Sequence, residues 1–234
     1  MRHALVVASR NRGKLEELRA LLSDLPLEIL ALPQVLPHAA PVVEDGRTFV
    51  ENAVKKARAA AEGTMMLALA DDSGLEVDAL DGRPGVYSAR FAHERATDAE
   101  NNAVLLDALD ALGDPVSAAQ STRYEARFRC ALALIDPFAS DPSPRVVEAT
   151  CEGRITSMPR GSGGFGYDPL FVLSGTDKTM AELTEGEKNR VSHRARAYAA
   201  LRPVLSEILF AREKQIWKIC NSPPPQPSLA GGGG

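Results

Sequence analysis

A chain of 234 residues, 44% of them hydrophobic and 25% charged, is long enough to bury one sizeable core and has the composition of an ordinary folded soluble protein. Its formal net charge of −4 argues against a general nucleic-acid binder, which needs a basic surface, yet leaves room for a small anion in one locally basic pocket. Three scattered cysteines (Cys130, Cys151, Cys220) without a CxxC imply neither a disulfide framework nor a zinc site, and they fit a reducing cytosol. The apolar stretch after Met1 is short and meets charge at Arg10 and Arg12, and no run approaches the length of a membrane span. The expectation is a cytoplasmic protein with neither a membrane nor a nucleic-acid partner.

Residues 3–9 read as a buried strand, and GKLEELRALLSDL as an amphipathic helix with Leu15, Leu18, Leu22 and Leu25 on one face. LEILAL reads as a second strand, followed by a Pro-rich loop. Val50, Ala53, Val54 and Ala57 then recur at helical spacing, which predicts a helix from about Thr48 to Glu62. MMLALADDSG reads as a buried strand running into acid, LEVDAL as a half-exposed strand, and GRPGVYSARFA as loop. TDAENNAVLLDALDALG is predicted helical, with Thr97 or Asp98 as its N-cap and Gly113 as its stop. TRYEARFRCALALID and VVEATCEGRI read as a hairpin, and PLFVL as a further strand. The pattern from Thr184 to about Ile219 is helical, with a possible second start at Ser192 and with Pro203 inside it. The tail from about 221 lacks core-forming residues and is expected to be disordered. Alternating strands and helices followed by a hairpin point to a mixed α/β fold.

Four clusters could carry chemistry. SRNRGK, residues 9–14, is either an ordinary turn or an anion cradle, because backbone N–H groups at a helix start, with hydroxyl, amide and ammonium donors beside them, suit phosphate. Glu44 lies just before a helix that carries Asn52 and, one turn on, Lys56. Asp71 and Asp72, followed by Ser73 and Gly74, offer either a turn cap or hard oxygen ligands suited to Mg²⁺ beside a phosphate. In GGFGYDP, residues 163–169, glycines leave Phe165 and Tyr167 with little local packing; the rings either fold back on the core or form a face for a purine. SHR, residues 192–194, is a plain helix cap on one reading. On the other, cations at a helix N-terminus oppose the macrodipole and call for an anion or acceptor nearby. No GxxxxGK[ST] occurs, which argues against a P-loop kinase.

Seven motifs in order, S-R-N-R-G-K, E-N-A-V-K-K-A, A-D-D-S-G, P-G-V-Y-S-A-R, G-G-F-G-Y-D-P, A-E-L and E-K-N-x-x-S-H-R, resemble the inosine triphosphate pyrophosphatase family over roughly residues 4–210. The resemblance implies an elongated mixed β-sheet with flanking helices and two lobes with the active-site cleft between them. It also implies a Mg²⁺-dependent homodimer that converts aberrant purine nucleoside triphosphates (ITP, dITP, XTP) to the monophosphate and pyrophosphate. Carried over, the phosphate loop is Ser9, Arg10, Asn11, Arg12, Gly13 and Lys14, with Lys56 as a further phosphate-side lysine. The metal-binding and catalytic carboxylates are Glu44 and Asp72, with Asp71 adjacent, and Asp72 is the catalytic residue. The base pocket is Ser73, Phe165, Gly166, Tyr167, Asp168, Lys188, His193 and Arg194. Ser9-Arg10 departs from the Thr-Gly of many members; it keeps the hydroxyl and alters the loop. Residues 1–212 are expected to form one bilobed domain and 213–234 an extension.

Overall fold

The computed structural model describes residues 2–113 and 124–221. A six-stranded mixed sheet runs in the order β2-β1-β3-β4-β5-β6. Its strands are β1 (His3–Val7), β2 (Leu27–Ala31), β3 (Leu67–Val77), β4 (Glu125–Ile135), β5 (Arg145–Ile155) and β6 (Phe171–Leu173). β1 pairs parallel with β2 and β3, while β3 to β6 are antiparallel neighbours. The helices are α1 (Arg12–Leu21), α2 (Leu32–Val35), α3 (Phe49–Thr64), α4 (Asp98–Asp110), α5 (Glu185–Val191) and α6 (His193–Asn221). The mixed α/β sheet expected from the sequence is the one found. The tail from 222 onward, expected to be disordered, lies outside the described residues.

β3 sets the plan of the molecule. Side chains alternate along a strand, so Leu67, Leu69, Asp71, Ser73, Leu75 and Val77 share one face. Leu67 and Leu69 join a core built with Leu18 of α1, Leu22 just past its end, and Tyr198, Leu201 and Leu205 of α6. Leu75 and Val77 join another, with Leu105 and Leu109 of α4, Phe128 and Phe171. Asp71 and Ser73 fall between the two, so the polar gap in an otherwise apolar row marks the boundary between these two clusters. On the opposite face, Ala53, Ala57, Ala60 and Ala61 of α3 meet Ala68, Ala70, Ala131 and Ala133. Alanine on both sides leaves no bulk to hold helix and sheet apart.

The structure corrects the sequence in several places. ADDSG does not end a strand; β3 continues through it for 11 residues, because β4 pairs with it without a break from Ala68↔Ile135 to Val77↔Ala126. Continuous pairing overrides the turn preference of Asp-Ser-Gly. Asp78–Leu80, expected as strand, is a 3₁₀ turn, and Gly85–Arg90, expected as loop, is another. The Pro-rich segment holds the short α2 with Pro33 in its first turn. Near the C-terminus the second start prevails. Ser192 takes an extended conformation (φ −65°, ψ 156°), separates α5 from α6, and accepts from the Ala195 N–H at 3.1 Å. Thr97 caps α4 in a reciprocal capping box with Glu100.

α6 runs unbroken through Pro203 and past Arg212. Arg212 grips the buried Asp136 at the end of β4 with two bonds, of 2.7 and 2.6 Å. Burial alone would raise the Asp136 carboxyl, but the guanidinium and the Phe138 N–H hold it below its ordinary value. A depressed carboxylate stabilises the fold above its unfolded pKa, and that contribution is lost as pH falls through the folded one. Arg212→Ala is therefore expected to lower the unfolding free energy by about 2 kcal/mol at neutral pH. The deficit should shrink below about pH 4, as urea melts across pH would show.

Candidate active site

The site forms where β1 stops and β3 goes on. β1 pairs with β3 only from Leu5↔Leu67 to Val7↔Leu69, and beyond that, among the described residues, no strand lies on the β1 side of β3 at Asp71 and Asp72. The connection to β2 passes through α1 on one face and the connection to β3 through α3 on the other, so the C-terminal end of β1 is a topological switch point, the usual ligand position in such sheets. The vacated edge is bordered by the loop Ser9–Asn11. Asn11 caps α1, its Oδ1 accepting from the Lys14 N–H at 3.1 Å, and Ser9 Oγ accepts from the Asn11 N–H at 3.2 Å. A cavity of about 310 Å³ opens here, lined by Ser9, Arg10, Asn11, Lys14, Glu44, Lys56, Asp71 and Asp72 among others.

Because the strand is continuous, the adjacent carboxylates face opposite sides of the sheet. Asp72 turns toward α3. It accepts from Lys56 Nζ at 2.6 Å and from Asn52 Nδ2 at 3.3 Å, and Lys56 also reaches Glu44 Oε1 at 3.4 Å. Burial raises the Asp72 carboxyl above its ordinary value against the pull of Lys56. The Lys56 ammonium is raised too: burial opposes its charge, but Asp72 and Glu44 outweigh that. Asp71 turns toward α1 and α6 and is almost fully enclosed. Lys14 Nζ and, at 3.0 Å, Ser73 Oγ meet its Oδ1, while Arg194 Nε and Cys130 Sγ each lie 3.3 Å from its Oδ2. Burial would raise this carboxyl, yet Lys14 and Arg194 hold it well below the carboxylate range. Burial pushes the Cys130 thiol up, so it faces Asp71 as S–H.

A second cavity, of about 160 Å³, adjoins the first and shares Asn11, Lys14, Ser73 and Ala89 with it. Its aromatic wall is Phe165, over which the Arg194 guanidinium lies 4.9 Å from the ring centroid. Gly13 passes so close that a Cβ there would sit 3.3 Å from the ring. Arg194 is buried, donating to Ser73 Oγ at 3.0 Å and Glu17 Oε2 at 3.1 Å. His193 stacks on Phe128 (4.8 Å between centroids, 19° between planes), and burial pushes its imidazole far below its ordinary value, so it is neutral. The Gly163–Asp168 loop is fixed at several points. Gly166 N–H donates to Asp98 Oδ2 at 2.6 Å, Asn102 donates to Gly166 O at 3.1 Å, and the buried Tyr167 hydroxyl donates to Ser88 O at 2.9 Å. Asp168 Oδ2 accepts from the Phe165 N–H at 3.2 Å and from Lys188 Nζ at 2.5 Å.

A cavity rich in lysine and carboxylate thus opens into a slot walled by an aromatic ring and an arginine. The profile of the Ham1 family matches residues 5–204. The chain belongs to the Ham1 family. It is 51% identical over 201 residues to the dITP/XTP pyrophosphatase of Geobacter sulfurreducens, covering 85% of this chain and 94% of that protein. It is 50% identical over 205 residues to the dITP/XTP pyrophosphatase of Geobacillus kaustophilus, covering 88% and 95%. The solved structure of a HAM1 protein from Coxiella burnetii superposes with a TM-score of 0.77 at 42% identity, covering 88% of this chain and 99% of that one.

In this Ham1-family chain nearly all the residues singled out from the sequence line one cavity or the other. Lys188 is reached through Asp168. Arg12 is exposed at the start of α1 and lines neither cavity; Arg10 lines the first, its guanidinium tied to Ala39 O at 2.8 Å. Among the described residues no group of three or more His, Cys, Asp or Glu side chains could hold a metal by itself. Several participants carry no motif signal: Glu17 on Arg194, and Asp98 and Asn102 on Gly166; Arg90 ends the P-G-V-Y-S-A-R motif without having been singled out, and it lines the first cavity and donates to Glu44 O at 2.9 Å. Asn52 has a signal, since it is a polar residue on the buried alanine face of α3, where it also accepts from the Gly46 N–H at 2.8 Å.

Gly164 shows how tight the loop is. Its φ is +78°, and a Cβ would fall 2.0 Å from Asp168 Oδ2 and 2.2 Å from Lys188 Nζ. Gly164→Ala is expected to break that pair and raise KM for a purine nucleotide about tenfold, with kcat changed less, a split that steady-state kinetics would show.

Proposed function

We propose that this protein hydrolyses aberrant purine nucleoside triphosphates, ITP, dITP and XTP, to the nucleoside monophosphate and pyrophosphate. The observation that carries the reading is the junction of the two cavities at Asn11, Lys14 and Ser73, which lets one ligand place a base in the slot and its phosphates on the loop. The relatives named dITP/XTP pyrophosphatase support it. In this reading water attacks the α-phosphorus in line and pyrophosphate leaves, so catalysis is chiefly positioning and charge stabilisation. Lys14 and Lys56 neutralise the phosphates, and Ser9 and Asn11 flank them. Asp72, its basicity raised by burial, orients the water and takes its proton.

Lys56 sits between the carboxylates of Glu44 and Asp72, at 3.4 and 2.6 Å, so these two hard oxygen donors already converge on one cation. Mg²⁺ typically takes one or two carboxylates and completes its shell with phosphate oxygens and water, a set these residues fit without a third protein ligand. Glu44 and Asp72 would hold it, and when bound it adds positive charge at the phosphates. In the slot, Arg194 and His193 donate, as the six-keto oxygen of hypoxanthine or xanthine requires, while Lys188 stands behind Asp168 and holds it in place; the six-amino group of adenine would leave a buried donor unpaired. A homodimer, on the family resemblance alone, and a cytoplasmic location, on the scattered cysteines and the short, charge-bounded apolar stretch after Met1, complete the proposal.

Phosphate release in the presence of an added inorganic pyrophosphatase, run over ITP, XTP, GTP, ATP and dTTP, tests the reading. The expected kcat/KM for ITP and XTP exceeds that for ATP by about a hundredfold or more. Equal rates would indicate a pyrophosphatase of other preference, and binding without product a nucleotide-binding protein.

A further inference from the structure

The two cavities are joined by more than their shared rim. Between them lies an alternating row of buried or half-buried charges. Lys14 meets Asp71; Asp71 meets Arg194 at 3.3 Å; Arg194 meets Glu17 at 3.1 Å. Lys14 lines the phosphate-side cavity, and Arg194 roofs the Phe165 ring in the other. Asp71 touches both. Its contacts with Ser73 and Cys130 complete a set of donors on both oxygens, and on this face of the sheet it lies away from the Glu44–Asp72–Lys56 group. Lys14 and Ser73 thus donate to one carboxylate oxygen and Cys130 to the other, with the Arg194 guanidinium at ion-pair distance from the second.

We infer that Asp71 is a positioning residue that couples the two cavities, linking the occupation of Lys14 by phosphate to the seating of Arg194 over the base slot. The inference rests on the assignment of base and phosphate sides made above. A phosphate that draws the Lys14 ammonium away leaves Asp71 less compensated. In so enclosed a place the loss is felt by the other cation in contact, Arg194. Drawn more firmly onto Asp71, the guanidinium holds its place above Phe165, where a base would lie against it. Phosphate binding therefore prepares the slot for the base, and by linkage the base favours the phosphate.

The test uses the two halves of the ligand separately, inosine and inorganic pyrophosphate, with Mg²⁺ present. Inosine affinity of the parent protein, measured by calorimetry or NMR titration, is expected to tighten at least about fivefold when pyrophosphate is saturating. Asp71→Asn should reduce that gain to less than twofold. Should Asp71→Asn fail to fold, judged by its thermal melt, Cys130 decides. Cys130→Ala, which removes one donor from Asp71, should weaken the coupling, and Cys130→Ser, which keeps a donor, should retain it. A parent that fails to bind inosine or gains less than twofold overturns the inference, as does an Asp71→Asn protein with the parent's coupling. Parental coupling in Cys130→Ala, or its loss in Cys130→Ser, does the same. ITP turnover by the parent is measured alongside. Coupling without turnover removes the proposed reaction and keeps the inference, and turnover without coupling does the reverse.

Discussion

Asp72→Asn is expected to lower kcat for dITP by about a thousandfold, with KM within a few-fold of the parent and the fold intact. The amide has the shape of the carboxylate and can still accept from Lys56, which now sits 2.6 Å from Oδ1. It cannot take a proton from water. Stability should change little, because two effects oppose each other. Burial already disfavours the ionised carboxyl, so a neutral group is easier to bury; Lys56, however, is left with Glu44 alone as its carboxylate partner. The measurement is pyrophosphate release under saturating dITP beside a thermal melt. Turnover within tenfold of the parent would remove Asp72 from the role of base, and a melt lowered by tens of degrees would make the rate uninformative about chemistry. The same pair of readouts on Asn52→Ala separates positioning from proton transfer. Asn52 touches only one oxygen of Asp72, at 3.3 Å, so its loss should cost about tenfold in kcat.

Much of this was legible in the sequence, and the reasons differ from element to element. The α1 and α3 faces could be read because leucines and alanines recur at helical spacing, although α1 stops at Leu21 and leaves Leu22 and Leu25, expected on its face, beyond its end. Thr97 and Thr184 announced their helices because a cap is a local bond, fixed by residues three apart. ADDSG was misread as a strand end because what keeps it extended is β4, more than fifty residues downstream. Local preference cannot see a partner that distant. The same gap hid the division of labour between Asp71 and Asp72. Read as neighbours at a turn they look interchangeable; set in a continuous strand they belong to different faces and different cations. Glu17 was invisible for a related reason. On α1 it is one more exposed-face acid, and only the return of the chain at Arg194 gives it a partner.

Arg194 is where local preference and site chemistry conflict, and its replacement should have the second large effect. A cation in the first turn of α6 opposes the helix dipole, and this one is also buried. Both costs are met by Asp71 and Glu17, neither of which is on α6. Arg194→Met keeps length and apolar bulk on the Phe165 ring while removing the charge and the donors. The expected result is a fall of about a hundredfold in kcat/KM for ITP with little change for ATP, so that selectivity collapses because the favoured substrate is lost. The melting temperature should fall as well, since Asp71 loses one of its two cations and Glu17 its partner. Arg194→Lys distinguishes the two consequences. An ammonium can restore charge beside Asp71, and with it most of the melting temperature. It cannot span Asp71, Ser73 and Glu17 together as the planar guanidinium does, nor lie flat on the ring. Stability regained without selectivity would place base discrimination in the geometry of the guanidinium. Selectivity regained with the lysine would reduce the role of Arg194 to its charge alone.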